Sequence, residues 1–150
     1  MVRTFARGWL VIMLAGSAQV KLDDKWRFVL PAKFRAGAGT QLYLAKADEG
    51  QLQLLTQAAF DAEREMHRRA GTEGRDPQRW AKRTFMQSIE PITVDTQARV
   101  PVLDRLRPLA NLQERGELTL IGMDDRIEVW DSATYAAASA AREEAERGNR

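Results

Sequence analysis

Alternating polar and apolar residues in two short segments predict two β-strands. Gln51–Leu54 and Arg126–Val129 each alternate with a period of two, which is typical of a strand with one buried face. Turn-forming residues lie immediately before them, at Asp48–Gly50 and at Gly122–Asp125. Each segment is therefore predicted to be the second strand of a β-hairpin.

A helix is predicted after each of these hairpins. Thr56 and Asp131 stand at the N-cap position, where a side-chain oxygen accepts a hydrogen bond from a free backbone N–H. Phe60 and Tyr135, four residues further on, are the expected core anchors of the two helices. The Ala/Glu/Arg-rich tail that follows Tyr135 has a high helix propensity, and fraying is expected beyond Glu146.

The chain contains an internal repeat that includes both hairpins. The segments 22–30 and 94–102 align at an offset of 72 residues. The alignment places an aspartate over an aspartate and an arginine over an arginine: Asp23 and Arg27 in the first copy, and Asp95 and Arg99 in the second. The order of apolar positions continues into the closing helices, where the offset is 75. Two units of about 45 residues with the same order of elements account for this series.

Each unit is predicted to contain a strand, a turn, a second strand, one helical turn, the hairpin and a helix. Pro31 suits the first position of the helical turn in unit one, whereas Pro108 is expected to end that of unit two. Between the units, the polar loop Gly71–Pro77 separates a helix that ends near Arg69 from one that begins near Gln78.

The resulting fold class is α+β, rich in β-structure, with a helical linker between two similar units. Trp80, Phe85 and Met86 are expected to dock the second linker helix on the core. The predicted boundaries are an N-terminal extension at 1–12, a first unit at 13–62, a helical linker at 63–91, a second unit at 92–138 and a helical tail at 139–150.

Residues 1–18 carry a pattern that is similar to a short signal peptide. Arg3 and Arg7 precede the apolar run Trp9–Ala15, which small residues follow. This run is too short to cross a bilayer, which needs roughly 20 apolar residues, and no comparable run occurs later, so no membrane association is expected. The alternative is that translation starts at Met13 and that residues 1–12 are an upstream extension.

Composition excludes several kinds of chemistry. The 150 residues include no cysteine, so disulfides, cysteine zinc sites and thiol nucleophiles are excluded. The one histidine, His67, lies in a charged helical segment and is predicted to be solvated. The two adjacent carboxylate pairs, Asp23-Asp24 and Asp124-Asp125, are predicted to serve turns and caps. No metal, cofactor, small-molecule ligand or enzymatic activity is therefore expected.

Charge placement is more informative than the net charge of +2. Residues 21–35 carry a net charge of +3, and residues 95–107 carry +1. Both segments are strand–turn–strand elements, and a two-stranded ribbon with arginines can enter the DNA major groove; the alternative is a solvated basic surface. Residues 64–83 carry +4, interpreted as a solvated helical face or a subunit contact. The basic side chains of the first segment are Lys21, Lys25, Arg27, Lys33 and Arg35.

The repeated motif resembles the signature of the MraZ family of bacterial transcriptional regulators. Leu22–Pro31 resembles the family pattern L-D-x-K-G-R-x-x-x-P, and Asp95–Arg99 resembles a second copy, D-x-x-G-R. Leu120–Asp131 resembles the closing hairpin and helix cap of the family. Met13–Gly16 stands where members usually begin with Met-Phe-x-Gly. The resemblance covers about residues 13–140.

This resemblance implies a fold, an assembly and a function. The fold is a tandem, pseudo-twofold pair of AbrB-like swapped-hairpin units that form a β-barrel with flanking helices. Family members assemble into homo-oligomeric rings and bind short direct repeats in double-stranded DNA before the operon for division and cell-wall synthesis, commonly as repressors of their own promoter. The expected location is the cytoplasm, in association with the nucleoid.

The resemblance also assigns candidate DNA-binding residues. The motif arginine that contacts bases corresponds to Arg27, the motif lysine to Lys25, and the arginine of the second copy to Arg99. Lys33 and Arg35 complete the expected basic surface, and Trp26 is a candidate to lie flat on a sugar or base edge.

Two departures from the family pattern bear on this site. The glycine of the motif is Trp26 in unit one and Ala98 in unit two. If the position needs a positive φ, a bulky residue is strained there, and the turn could take another shape and aim Arg27 elsewhere. The alternative function is therefore a ring-forming interaction protein that has lost specific DNA binding.

Overall fold

The same order of secondary-structure elements occurs twice along the chain. The computed structural model describes residues 2–4, 10–69 and 77–149. The first part contains β1 (Val2–Thr4), β2 (Leu10–Ile12), β3 (Ser17–Lys21), β4 (Arg27–Val29), α1 (Ala32–Ala38), β5 (Gln41–Lys46), β6 (Leu52–Leu55) and α2 (Gln57–Arg69). The second contains α3 (Pro77–Ser88), β7 (Glu90–Thr93), β8 (Arg99–Pro101), a 3₁₀ helix (Pro108–Ala110), β9 (Glu117–Gly122), β10 (Arg126–Asp131) and α4 (Ser132–Gly148).

The strands form one six-stranded antiparallel sheet and two short ribbons. The order in the sheet is β3-β9-β10-β6-β5-β7, while β4 pairs with β8 and β1 pairs with β2. The two predicted hairpins are β5–β6 and β9–β10, and both are confirmed. The α+β fold class is confirmed as well.

The two units exchange strands about a pseudo-twofold axis. The first strand of unit one, β3, pairs with β9 of unit two, and its counterpart β7 pairs with β5 of unit one. Two pairs of equivalent residues face each other at the centre of the ladders: Phe28 opposite Val100, and Gln53 opposite Glu128. Because each hairpin is completed by a strand from the other unit, neither unit contains its whole share of the sheet.

The principal core lies between the six-stranded sheet and the β4–β8 ribbon. It draws on both units at equivalent positions, such as Phe34 with Leu106 and Leu44 with Leu120, which are fully buried. Burying a leucine or phenylalanine side chain stabilises the fold by roughly 1.5–3 kcal/mol relative to exposure. This core therefore stabilises the association of the swapped units, together with the strand pairs that join them.

A smaller core lies under α2 and α3. Ala45, Leu55, Ala59 and Phe85 form it, with Tyr43 and Phe60 packed at its edge. The rings of Tyr43 and Phe60 stack with their centroids 3.9 Å apart. Phe85 docks α3 as predicted. The other two predicted anchors are wrong, because the side chains of Trp80 and Met86 lie on the outer surface of α3, 69% and 46% exposed.

The ends of the helices follow the capping residues. Thr56 Oγ1 accepts a hydrogen bond of 3.1 Å from Ala59 N, and the Asp131 carboxylate accepts one of 3.0 Å from Thr134 N, so both predicted N-caps are confirmed.

The two prolines differ slightly from their predicted roles. Pro31 lies one residue before α1, as its N-cap. Pro108 begins the 3₁₀ helix instead of ending a helical turn. Its missing N–H is not needed at a first helical position, which makes that start favourable.

The two helices predicted on either side of the polar loop are confirmed. The helix α2 ends at Arg69 and α3 begins at Pro77. Of the predicted loop Gly71–Pro77, Pro77 is the first residue of α3, and the rest lies outside the described residues. None of the helices in the described ranges is long and apolar enough to cross a membrane.

Candidate nucleic-acid interface

The first repeated motif folds into a tight turn around one aspartate, called turn one here (Asp23–Arg27). Asp23 Oδ1 accepts hydrogen bonds from Lys25 N at 2.8 Å and from Arg27 N at 2.9 Å. Asp23 Oδ2 accepts a third bond, of 2.9 Å, from Arg27 Nε. The backbone closes the turn, because Trp26 N donates to Asp23 O at 3.1 Å. One carboxylate thus fixes both the backbone and the arginine side chain.

The second copy of the motif has the same geometry and is called turn two (Asp95–Arg99). Asp95 Oδ1 accepts from Gln97 N and from Arg99 N, both at 2.9 Å. Its Oδ2 accepts from Arg99 Nε at 2.6 Å, and Ala98 N donates to Asp95 O at 2.9 Å. The aspartate and arginine that the repeat aligns therefore also make the same contacts in both turns.

The fourth residue of each turn adopts a left-handed backbone conformation. The φ of Trp26 is 59° and that of Ala98 is 60°. Glycine adopts this conformation with little strain, whereas other residues are strained in it. The hydrogen bonds to Asp23 and Asp95 hold the two residues there. The turn therefore keeps one shape in both units, with a positive φ at the position of the family glycine.

The hydrogen bonds of the turns lower the pKa of both aspartates. The backbone N–H of Arg27 is the largest cause for Asp23, and the backbone N–H of Arg99 is the largest for Asp95. The guanidinium groups of the same arginines lower the pKa further. Each carboxylate is therefore held in its charged form.

The β4–β8 ribbon places the two motif arginines on one outward face. Arg27 pairs with Pro101, and Val29 pairs with Arg99. Paired residues in a ladder point to the same side, and alternate residues along a strand do too, so these four side chains share one face. Val29 is 48% exposed, while Phe28 and Val100 on the opposite face are buried. This outward face (Arg27, Val29, Arg99, Pro101) is called the ribbon face.

Both arginines of the ribbon face are oriented by their aspartates and remain partly exposed. The side chain of Arg27 is 26% exposed and that of Arg99 is 32% exposed. Within the described ranges, each guanidinium makes a protein hydrogen bond through Nε alone, which leaves the terminal nitrogens open. A guanidinium fixed in this way can donate two parallel hydrogen bonds to a phosphate or to guanine O6 and N7.

The remaining predicted site residues fall into different places. Lys25 is exposed at the tip of turn one, beside Arg27. Lys33 lies away from the turns: its Nζ donates to the carbonyl of Ser17 and lies 5.3 Å from the centre of the Phe34 ring. The structure therefore does not bring Lys33 together with the turn residues.

Arg35 lies beside turn two rather than beside the turn of its own unit. Its Nε donates to Leu30 O at 2.8 Å, and Leu30 N in turn donates to Ala98 O at 2.7 Å. The exchange between the units causes this placement. Each turn is thus adjacent to an arginine from the short helical segment of the other unit.

Arg107 is the equivalent residue beside turn one, and it was not among the predicted site residues. Its Nε donates to Val102 O at 2.9 Å, and Val102 N donates to Trp26 O at 2.9 Å. The guanidinium carbon lies 4.3 Å from the centre of the Trp26 ring. The sequence repeat pairs Arg107 with Arg35, but only the strand exchange brings it next to Trp26.

Two further titratable groups that the sequence singles out, His67 and Asp125, have structural partners. His67 is buried, with its Nε2 3.7 Å from Glu63 and its ring stacked on Phe85. The prediction that it is solvated is wrong, because α3 covers this side of α2. Asp125 forms an ion pair with Arg126. The structure shows no group of side chains, among the residues it describes, that is suited to hold a metal ion.

The described parts of the second basic stretch lie on α2 and α3 and form an exposed helical surface. Arg68 and Arg69 both pair with Glu65, and their side chains are 77% and 79% exposed. Arg83 stacks on the exposed ring of Trp80. Exposed ion pairs of this kind contribute little stability, about 0–1 kcal/mol. These contacts fit the prediction of a solvated helical face.

Comparisons with known proteins match most of the chain. The family model described as "MraZ protein, putative antitoxin-like" matches residues 13–70 and 85–149. A protein named transcriptional regulator MraZ from Acidovorax sp. (strain JS42) is 33% identical over 138 residues, which cover 89% of this chain and 93% of that protein. Proteins of that name from Kocuria rhizophila and Tropheryma whipplei are 32% and 33% identical, over 82% and 83% of this chain and 84% and 85% of their own lengths.

Proposed function

The chain belongs to the MraZ family, and from that premise we propose that it is a sequence-specific, DNA-binding transcriptional regulator that contacts DNA through the ribbon face and its two turns. The relatives are named transcriptional regulators. The observation that carries the proposal is the pair of aspartate-oriented arginines, Arg27 and Arg99, on one exposed face.

The geometry of the ribbon face suits the major groove. The two arginines occupy diagonal positions of an antiparallel ladder, for which the separation is roughly 7–8 Å. A two-stranded ribbon fits into the major groove, where arginine recognises guanine through two hydrogen bonds. Since the aspartates orient both guanidinium groups before DNA arrives, little side-chain entropy is lost on binding.

The turns supply the contacts that position such a ribbon. Lys25 is exposed at the tip of turn one, where its ammonium group can reach a phosphate. The two turns lie at opposite ends of the ribbon, which suits the two phosphate backbones that border a groove. Phosphate contacts of this kind fix the register of the protein but carry no sequence information.

The proposal extends to the target and the assembly. The expected targets are direct repeats upstream of the protein's own operon, in the gene cluster for division and cell-wall synthesis, with repression as the expected outcome. A homo-oligomeric ring would present several ribbon faces to successive repeats. The protein would act in the cytoplasm, in association with the nucleoid, without enzymatic activity or a cofactor.

A gel mobility-shift titration tests this function. The full chain is titrated onto DNA from upstream of its own gene and onto a scrambled duplex, at two salt concentrations. We expect retardation of the upstream DNA that weakens steeply with salt. Arg27→Ala should weaken binding by about 1–3 kcal/mol and reduce the preference for the upstream sequence.

Arg142→Ala is the matched control. It removes the same charge from α4, where the side chain is 80% exposed and pairs with Glu146. This variant should bind as the unchanged protein does. Equal affinity of the unchanged protein for upstream and scrambled DNA would refute the proposal and favour a ring-forming interaction protein that has lost specific DNA binding.

A further inference from the structure

The two turns have the same backbone but different surroundings. Turn one presents the large ring of Trp26 at its left-handed position, and turn two presents only the methyl group of Ala98. The neighbouring arginines, Arg107 and Arg35, are anchored in the same way, each by a bond from Nε to a backbone carbonyl. Only Arg107 therefore has an aromatic surface beneath its guanidinium.

A chain of contacts fixes Arg107 against turn one. Trp26 O accepts from Val102 N, and Val102 O accepts from Arg107 Nε, both at 2.9 Å. The guanidinium then lies 4.3 Å from the centre of the Trp26 ring, well inside the range of a cation–π contact. Trp26 in turn packs against the principal core. The position of this cation is thus determined by core packing and by two hydrogen bonds that backbone carbonyls accept.

We propose that Trp26 and Arg107 form a phosphate-binding platform that is specific to turn one, so that the two turns of this chain contact DNA unequally. The proposal rests on the proposed DNA-binding function and adds a residue to it. Arg107 contacts a phosphate of the DNA backbone, and Trp26 is the positioning residue that holds it.

The ligand follows from the chemistry of the platform. Arginine donates five N–H bonds from a rigid plane, and here Nε is already used by Val102 O. The terminal nitrogens make no other protein hydrogen bond in the described part of the chain. They can donate in parallel to two oxygens of one phosphate, which is the preferred geometry of an arginine–phosphate pair. The stack on Trp26 limits rotation of the guanidinium and favours this contact.

The platform also gives a role to the departure of Trp26 from the family glycine. A tryptophan at a φ of 59° carries backbone strain that glycine avoids. Glycine at this position would leave Arg107 without its stacking partner. Trp26 therefore lowers the local stability of the backbone, and in return its ring orients the guanidinium of Arg107 beside turn one.

The salt dependence of DNA binding tests the platform. Affinity for the upstream DNA is measured by fluorescence anisotropy over a series of salt concentrations, for the full chain and four variants: Arg107→Ala, Arg35→Ala, Trp26→Ala and Trp26→Phe. Each phosphate contact contributes about 0.9 to the slope of log affinity against log salt. Arg107→Ala should reduce this slope by about one, and Arg35→Ala, which removes an arginine with no aromatic ring beneath it, should reduce it by less.

The tryptophan variants separate the role of the ring from that of the charge. Trp26→Ala gives turn one the residue of turn two and keeps Arg107. It should weaken binding to upstream and scrambled DNA equally, by about two- to fivefold, which is the range of an exposed cation–π contact. Trp26→Phe retains an aromatic ring and should restore most of the loss. A circular dichroism melt of each variant confirms that the fold is intact.

The outcomes distinguish the platform from the underlying function. If the unchanged protein binds upstream DNA specifically but Arg107→Ala keeps the full slope, the platform is refuted and the proposed function stands. If Arg107→Ala and Arg35→Ala reduce the slope equally, the two turns contact DNA alike and the proposal is overturned. If the unchanged protein does not bind DNA, the proposed function fails and the platform fails with it.

Discussion

At the scale of single residues, each turn depends on one aspartate that accepts three hydrogen bonds. Asp23 and Asp95 bind two backbone N–H groups and one Nε each, and these bonds hold Trp26 and Ala98 in left-handed conformations. The sequence motif predicts the aspartate and the arginine because their spacing matches the turn. It does not predict Arg107, whose position depends on the exchange between units.

The pH dependence of the turns follows from the lowered pKa of both aspartates. The contribution of each carboxylate to folding is complete above the ordinary aspartate pKa of about 3.9 and is lost as the pH falls through the lowered value. Nuclear magnetic resonance would show the amide proton shifts of Arg27 and Arg99 titrating with midpoints below the ordinary aspartate pKa, as far as the fold persists. Midpoints at or above that value would mean that the hydrogen bonds to Asp23 and Asp95 do not form.

At the scale of elements, two backbone segments approach closely where β9 meets the segment before β3. Gly122 N donates to Gly16 O at 2.8 Å, and Leu14 and Asp124 exchange two backbone bonds nearby. A Cβ atom on Gly122 would lie 2.5 Å from Ala15 N. The sequence places Gly122 in a turn, since glycine is a common turn residue. The fold shows the other reason for a glycine here: β9 of unit two lies too close to residues 14–16 of unit one to leave room for a side chain.

Gly122→Ala should therefore destabilise the protein by about 1–3 kcal/mol, because two backbone segments must separate to admit the methyl group. Urea denaturation of the full chain measures the change. Gly148→Ala is the control, since a Cβ atom there would have no other atom within 4 Å. An unchanged midpoint for Gly122→Ala would show that residues 14–16 do not pack against β9 in solution.

At the scale of the whole molecule, the exchange of strands brings the two motif arginines to one surface. They are 72 positions apart in the chain, and the pairing of β4 with β8 sets them diagonally on the ribbon face. Composition and periodicity predict the hairpins and the repeat, since both depend on local order. The exchange itself is not a local property, and in the sequence it was indicated only by the resemblance of the motifs to a family.

The same long-range order explains the predictions that were wrong. His67 is buried and Trp80 is exposed because the packing of α3 on α2 decides which side of each helix faces water. Neither segment shows by its residues alone where the other helix lies. The contact of Lys33 Nζ with the carbonyl of Ser17 is long-range as well and is not visible in the sequence.

The measurement that tests the account most directly is a DNA-binding cycle on the ribbon face. The affinities of the unchanged protein, Arg27→Ala, Arg99→Ala and the double variant are measured by fluorescence anisotropy on upstream and scrambled DNA. We expect each single change to weaken binding to upstream DNA by about 1–3 kcal/mol and the double variant to lose its preference for that sequence. A double variant that retains the preference of the unchanged protein would contradict the assignment of the ribbon face as the surface that recognises DNA.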